Sequence, residues 1–518
     1  MPIRRFPKRD GVRLSRSQRG GHRRGAYFAL FTISMVLFFG VLALVYDLAL
    51  LNYSWRHCQN AADAAALAGG KKLVEGNQSG ASMSKALEYL ATLNYTDSTI
   101  ADIHSPPSTG PYANTAGYLE VIARKRVKTW FLRFSLFGES YVEVKARAVA
   151  GAEAFLPEDG VIALNPNAVP GLTVGGSAAL KVDGRIVVNS EGGGVDEFGD
   201  PVNNGSNGVA MSGGAANSDK GIYARIIDSV GGVDNHLVFK PFIAGEVAPL
   251  HTKMPTEPDP YLNVITPTAS NGVDARIRGS VSVTNNNATG LNTDTANQNR
   301  RTTKTEVIAG GLYTVPSGAV ILHPGIYESI SITGGTVYFI PGIYVLKATK
   351  ANQDILKLTG GTVYANGLMF YNTGANYNSN TGAPDMYDLG TTPPTSASTL
   401  FGSTAINTSF TTTPLNTQIY NYAAMYTGAK AVSKEFDGMM FYQRRQNTQV
   451  LKITGNTSST SLTGTFYGKW MPLDISGQGK YDAQFVISNM SVSGSGTVEV
   501  TSGNNAPKAM GKSIFLVE

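Results

Sequence analysis

Hydrophobic and polar positions divide the chain into stretches of different period. From Ala26 to Tyr46 there is no charge and almost no polar residue, on any helical face. About 20 apolar residues are long enough to cross a bilayer as one helix, so this stretch predicts a membrane span. From Leu48 to about Leu90 the chain is rich in Ala, Leu, Gln, Lys and Glu. That composition predicts continued helix, interrupted at Gly69-Gly70 and at Glu75–Gly80. Tyr118–Arg124 reads as a strand, and Val142–Ala150 sets Val142, Val144, Ala146 and Ala148 against Glu143, Lys145 and Arg147. A period of two marks a strand with one face buried, so a small α+β unit is expected after the span.

From Val161 onward short β-rich runs alternate with Gly, Asn, Ser and Thr, and the runs repeat. Ile332-Thr333-Gly334-Gly335-Thr336-Val337-Tyr338 returns as Leu358-Thr359-Gly360-Gly361-Thr362-Val363-Tyr364, 26 residues later. Ile355–Gly360 is echoed by Val450–Gly455, Gly367–Tyr371 by Gly438–Tyr442, and Pro324–Tyr327 by Pro341–Tyr344. Fainter copies lie at Leu172–Gly176 and Val492–Val498. A period in the twenties with short strands and Gly/Asn corners predicts a right-handed parallel β-helix, whose rungs bury their apolar face only by stacking. A β-sandwich would instead place strands every 8–12 residues with hairpin turns; Asn207-Gly208, Asn271-Gly272 and Asn366-Gly367 suit such turns, but the long-range echoes favour coils. Two insertions are expected: a proline-rich extended strap at 244–268, and an Asn/Thr/Ser/Gly-rich surface excursion at 372–421. The predicted organisation is a basic arm (1–25), a transmembrane helix (26–52), an α+β stalk (53–155) and a solenoid (156–518).

Charge sharpens the topology. The formal net charge is +6, but the arm before Gly25 holds nine cations (Arg4, Arg5, Lys8, Arg9, Arg13, Arg16, Arg19, Arg23, Arg24) against Asp10. The rest of the chain is therefore slightly acidic. Basicity confined to the flank of a span belongs to membrane topology and lipid headgroups rather than to a nucleic-acid groove, so no nucleic-acid partner is expected. The expected placement is a bacterial inner membrane, single pass, N-terminus inside, with the bulk of the chain periplasmic or extracellular. The lipid bilayer, through Ala26–Tyr46, is the first partner. Asp47 is read as a carboxylate reaching water at the outer edge of the span. Cys58 is the only cysteine, so no internal disulfide forms; it is either a small helix residue or a link between neighbouring stalks.

Arg24-Gly25-Ala26, the span, Val45-Tyr46-Asp47-Leu48 and then Gln59-Asn60-Ala61-Ala62-Asp63-Ala64-Ala65-Ala66-Leu67-Ala68 resemble the N-terminal module of TadE/TadG-like proteins of tight-adherence (Flp) pilus assembly. Val127–Phe131 and Val142–Ala150 fit the same resemblance, which covers about the first 155 residues. It implies a role in surface-appendage assembly, with other pilus-assembly or pilin-like proteins as partners and Gln59–Leu67 as the family motif. Prepilin-type processing would fall between Gly25 and Ala26, but the fifth mature position, Glu in such precursors, is Leu30. A retained anchor is favoured over a cleaved signal or a processed pilin. The alanines of the motif read either as good helix formers in a stalk or as a slim face for lateral packing.

Chemistry on the solenoid is weighed last. Polysaccharide hydrolysis on a β-helix needs carboxylates on consecutive rungs, and the motifs that carry them are lacking; Arg276-Ile277-Arg278 stands alone. Asp196, Glu197 and Asp200 offer oxygen ligands of the kind calcium takes, yet a Gly-flanked acidic loop is more simply solvated. The six histidines are scattered singly, and Gly192-Gly193-Gly194 has no lysine or helix to make a phosphate loop. No catalytic, metal or cofactor site is assigned. Tyr327, Tyr338, Tyr344, Tyr364, Phe370, Tyr371, Phe441 and Tyr442 read as coil stacks, with a surface glycan as a further candidate partner. The function expected is a non-enzymatic pilus or adhesion component presenting a solenoid; a tethered polysaccharide-active enzyme is the alternative.

Overall fold

The computed structural model describes residues 21–74, 83–86, 88, 102–115, 117–131, 141–155, 159–202, 208–214, 220–262, 264–285, 287–292, 297–350, 353–382, 401–407, 411–501, 509 and 511–516. The chain forms two compact units, residues 1–152 with 514–518, and residues 153–513.

The first unit is one helix and a sheet. The helix, α1 (Gly21–Val74), is 54 residues long, about 80 Å at 1.5 Å per residue. It runs through Gly69-Gly70 without a break, contrary to the expected interruption. Both glycines are buried, so their small size serves close packing and outweighs their weak helix propensity. The sheet orders β1 (Asp102–His104), β2 (Tyr118–Lys128), β3 (Tyr141–Phe155) and a last strand, Gly511–Leu516. The first three are antiparallel, with Tyr118 opposite Gly151 and Lys128 opposite Tyr141. Alternation in β3 is as the sequence predicts: Val144, Ala146 and Ala148 are buried, Glu143 and Lys145 exposed.

The second unit is a stack of parallel rungs, and the echoes identify its layers. Ile332 lies beside Leu358, Val337 beside Val363 and Tyr338 beside Tyr364, which is the 26-residue offset. Phe370 lies beside Phe441. Pro324–Tyr327 and Pro341–Tyr344 also stack, but Gly325 faces Tyr344, not Gly342. A shift of two residues keeps every side chain on its own face. The motif has a local logic: Tyr327 donates its hydroxyl proton to the carbonyl of His323, and Tyr344 to that of Ile340 at 2.8 Å. Each tyrosine thus closes the corner that its proline opens.

One expectation fails within 372–421. Ser403–Asn407 and Thr411–Pro414 are rung strands, not part of a surface excursion. Thr404 and Ile406 sit between Leu356 and Leu358 on one side and Leu451 and Ile453 on the other. The echoing segments Ile355–Gly360 and Val450–Gly455 are therefore separated by a rung too short and too rich in Thr and Asn to show in the pattern. Residues 383–400 and 408–410 lie outside the described residues.

The rungs are not stacked in chain order. The first of them, Asp159–Ala163, Leu172–Val174 and Ala179–Val188, lie beside residues of the last: Val161 beside Phe485, Leu172 beside Met490 and Leu180 beside Val498. From this central seam the chain builds outward through Gly221–Ser229 to Leu250–His251. It then returns as the proline-rich strap to Ile277–Val283, beside Gly325–Phe339 at the other end, and builds back inward.

The strap crosses the rungs one after another. Asn189 exchanges hydrogen bonds with the Glu257 backbone (2.8 and 2.9 Å); Tyr467 donates to Asp259 at 2.9 Å; Tyr377 donates to the Pro267 carbonyl at 2.8 Å; and just past the strap the Ser433 N–H donates to the Asn271 carbonyl at 2.9 Å. Two cores result, because strands under the strap are buried on both faces. Phe370, Phe441, Phe466 and Phe485 point inward. Their neighbours Tyr371, Tyr442, Tyr467 and Val486 form an outer layer with Tyr261 of the strap. Of the aromatics considered for glycan stacking, seven are buried and only Tyr364, face to face with Tyr338 at 4.4 Å, is exposed.

Glycine is required at the Thr-Gly-Gly-Thr corner. Gly361 has φ +82°, and a Cβ there would come within 2.5 Å of the Gly335 carbonyl oxygen in the next rung. Gly318 has φ +87° with open space around it. Gly361→Ala is expected to destabilise the solenoid by about 2 kcal/mol or more, and Gly318→Ala by only the backbone share, about 1 kcal/mol. Urea unfolding of the two variants reads the difference.

Candidate functional site at the base of the stalk

The motif Gln59–Leu67 lies on the half of α1 that packs against the sheet. Asp47, Ser54, Cys58, Ala61, Ala62, Ala65 and Ala66 are buried, with Leu50 and Leu51 partly so. These positions recur at intervals of three and four and make one helical face. They meet Leu119, Val121, Ala123, Ala146, Ala148 and Ala150 of the sheet. Methyl-sized side chains on both surfaces let the helix axis approach the sheet closely, so the alanine face is occupied within the chain. Cys58 is fully buried in the same contact, which removes it from a surface where neighbouring stalks would link.

The polar motif residues fasten this contact. The Gln59 side-chain amide donates to Asp63 at 2.7 Å and to the Arg147 carbonyl of β3 at 3.1 Å. Ala64 is half-buried, whereas Asn60 and Leu67 face outward. Gly25 and Ala26, the processing candidates, lie near the start of α1, and their side chains are outside the described residues, as is the basic arm up to residue 20.

Asp47 departs from expectation. Its carboxylate does not face water but is buried, accepting the backbone N–H of Trp130 at 3.2 Å and of Phe131 at 2.7 Å. These N–H groups follow the end of β2, and a carboxylate on the helix satisfies them. The one acidic residue in the Ala26–Leu51 stretch is thus a docking ligand for the sheet. Its isolation among apolar residues was the sequence signal.

Glu120 on β2 is a second buried carboxylate that sequence reading missed. Burial opposes its ionisation, but it accepts hydrogen bonds from Ser108 (2.9 and 2.6 Å), Thr109 (2.7 Å) and Arg147 (2.6 Å). Together they lower its pKa to about 2. A carboxylate held below its unfolded value stabilises the fold above that value and loses the effect as pH falls through the folded one. The contribution is up to about 3 kcal/mol. It is present above roughly pH 4.5 and fades toward pH 2. Thermal melts of the detergent-solubilised chain should show this loss, and Glu120→Gln should be less stable at neutral pH with a flatter profile across that window.

On the solenoid, Arg185 gathers three carboxylates: Asp228 at 2.7 Å, Glu257 at 3.3 Å and Asp159 at 3.4 Å, while His251 lies 2.9 Å from Asp228. Burial raises the pKa of Asp159, against the pull of Arg185. The guanidinium occupies the centre of the three carboxylates, and Glu257 comes from the strap. The arrangement joins adjacent rungs to the strap. Asp196 is likewise engaged, accepting from the Phe198 and Asp200 N–H groups and from Lys253 at 2.9 Å, and Glu197 accepts from Thr252. The acidic loop is a clasp on the strap. Among the described residues no group of His, Cys, Asp and Glu is arranged to hold a metal ion.

Below Asp47 the helix stands alone. From Tyr27 to Tyr46 its side chains are exposed, Ala43 only half so, and it is long and apolar enough to cross a membrane. Residues 25–72 match the family described as putative Flp pilus-assembly TadE/G-like. The match spans the exposed helix and the docking motif together, and supports a pilus-associated membrane protein. Searches of curated proteins and of solved structures return no match.

Proposed function

We propose that the chain is a non-enzymatic component of a Tad/Flp-type pilus or surface-adhesion system, anchored in the bacterial inner membrane with its N-terminus inside and its β-solenoid outside. The observation that carries this reading is the coincidence of the matched segment with the lone apolar helix and the docking face. The nine cations of the arm support the orientation through the preference of Arg and Lys for the cytoplasmic flank. The solenoid supports presentation rather than catalysis, because its buried carboxylates hold strap to rungs.

The test is deletion of the gene in its host, with complementation by the native chain and by Asp159→Asn. The expected result is loss of surface attachment or pilus export on deletion and recovery with both. Unchanged attachment after deletion would refute the proposal. Polysaccharide cleavage is the second reading, for which the three carboxylates around Arg185 would have to supply acid and base. Glycan release by the purified native chain, abolished in Asp159→Asn, would establish it in place of the first.

A further inference from the structure

We infer that the paired ends of β2 and β3 nearest Asp47 form a second membrane contact, in which Trp130, Phe131 and Tyr141, with Lys128, lie in the headgroup–acyl boundary of the bilayer that the helix crosses. The inference rests on the proposed span but concerns residues beyond it. The level of Trp130 and Phe131 is fixed by Asp47: its carboxylate binds their N–H groups, one residue beyond Tyr46, where the uncharged stretch ends.

At that level the hairpin leaves its largest side chains uncovered. Trp130 is 55 % exposed, Phe131 47 % and Tyr141 53 %, and Tyr46 on the helix is 56 % exposed. Single exposed aromatics are ordinary on a protein surface. Four at one height around the end of an apolar span make the belt that Trp and Tyr form at membrane interfaces, apolar body toward the acyl chains and polar tip toward water. Lys128, opposite Tyr141 in the ladder, holds its ammonium 4.4 Å from the Trp130 ring. A cation there suits lipid phosphate. Just above, Leu51, Asn52, Trp55, Val142, Val144 and Lys145 line a shallow groove of about 480 Å³ between helix and sheet, which continues the apolar surface away from the bilayer.

The arrangement solves two problems. An aspartate buried beside the end of a span is expensive unless paired, and here the hairpin pairs it. A single helix leaves its domain free to swing, and a second contact beside it sets the domain's orientation on the membrane.

The experiment uses the full chain in liposomes. Tryptophan emission is compared between the native protein and Trp130→Phe, so that the difference reports Trp130 while Trp55 and Trp470 cancel. Expected is loss of the difference signal with phospholipid brominated near the glycerol end of its acyl chains, and weak quenching by aqueous acrylamide. Efficient acrylamide quenching without lipid quenching would overturn the inference, placing Trp130 in water. Protection from both would overturn it too, placing Trp130 against another protein. Alkaline carbonate extraction of the same liposomes separates the two ideas: retained protein with an unquenched Trp130 sinks only the hairpin contact, whereas extracted protein sinks the span and the contact together.

Discussion

Replacing Arg445 with methionine is expected to destabilise the solenoid by about 3–5 kcal/mol, the range for removing one partner of a buried charge pair. The guanidinium is 3 % exposed. It donates to the Tyr467 hydroxyl at 2.9 Å and to the carbonyls of Tyr261 (2.7 Å) and Val264 (3.0 Å) in the strap. It also lies over the rings of Tyr442 and Tyr467. Asp259 is its charge partner: burial pushes that carboxyl up and Arg445 pulls it down. Without the cation, two strap carbonyls each lose one of their two donors and Asp259 loses its largest compensating charge. The strap should then lift, and proteases should cut between residues 252 and 276 where the native chain resists. Adding Asp259→Asn should recover part of the loss, because the uncompensated charge goes with it. A drop below about 1 kcal/mol in denaturant unfolding, with the strap still resistant, would show that the outer tyrosine layer holds it unaided.

Asp47→Ala should release the hairpin from the helix. Each N–H left unpaired costs about 1–3 kcal/mol, so the loss of both, from Trp130 and Phe131, amounts to roughly 2–5 kcal/mol, confined to the first unit. Asp47→Asn keeps one carbonyl acceptor and should lose about half as much. Hydrogen exchange at the two amides reads the effect directly: fast in Asp47→Ala, intermediate in Asp47→Asn, slow in the native chain. Equal protection in all three would mean that the alanine face docks the sheet without the carboxylate.

Much of this architecture was readable in the residues, and the misses have physical causes. The apolar span and the alternation of Val142–Ala150 are periodic signals, and periodicity reports directly which face is buried. The repeats at 332 and 358 announced stacking because both faces of a rung must fit the next. Repetition says that two segments are alike, however, not that one sits on the other. Hence the Ile355 and Val450 echoes concealed the rung at 403–407, whose Thr404 side chain is buried despite its polarity. The copies at Leu172–Gly176 and Val492–Val498, faint as sequence, lie on adjacent rungs, offset by two residues, with Val174 beside Val492. Asp47 was noticed for its charge and placed in water, since its partners are backbone amides more than 80 residues away that no side-chain pattern reveals. The glycines at 69 and 70 look like helix breakers until the packing that buries them is present.

The central seam has a consequence for synthesis. Residues 159–188 find their neighbours in 472–501, so the first rungs to leave the ribosome face a partner that does not yet exist. At 5–20 residues per second the interval is about 15–60 s. Throughout it the nascent solenoid carries an open row of backbone donors and acceptors, the kind of edge that recruits other strands. A chain stalled anywhere in that interval is left with an adhesive flank. Folding of this protein therefore depends on keeping that flank apart from its siblings until the last rungs arrive.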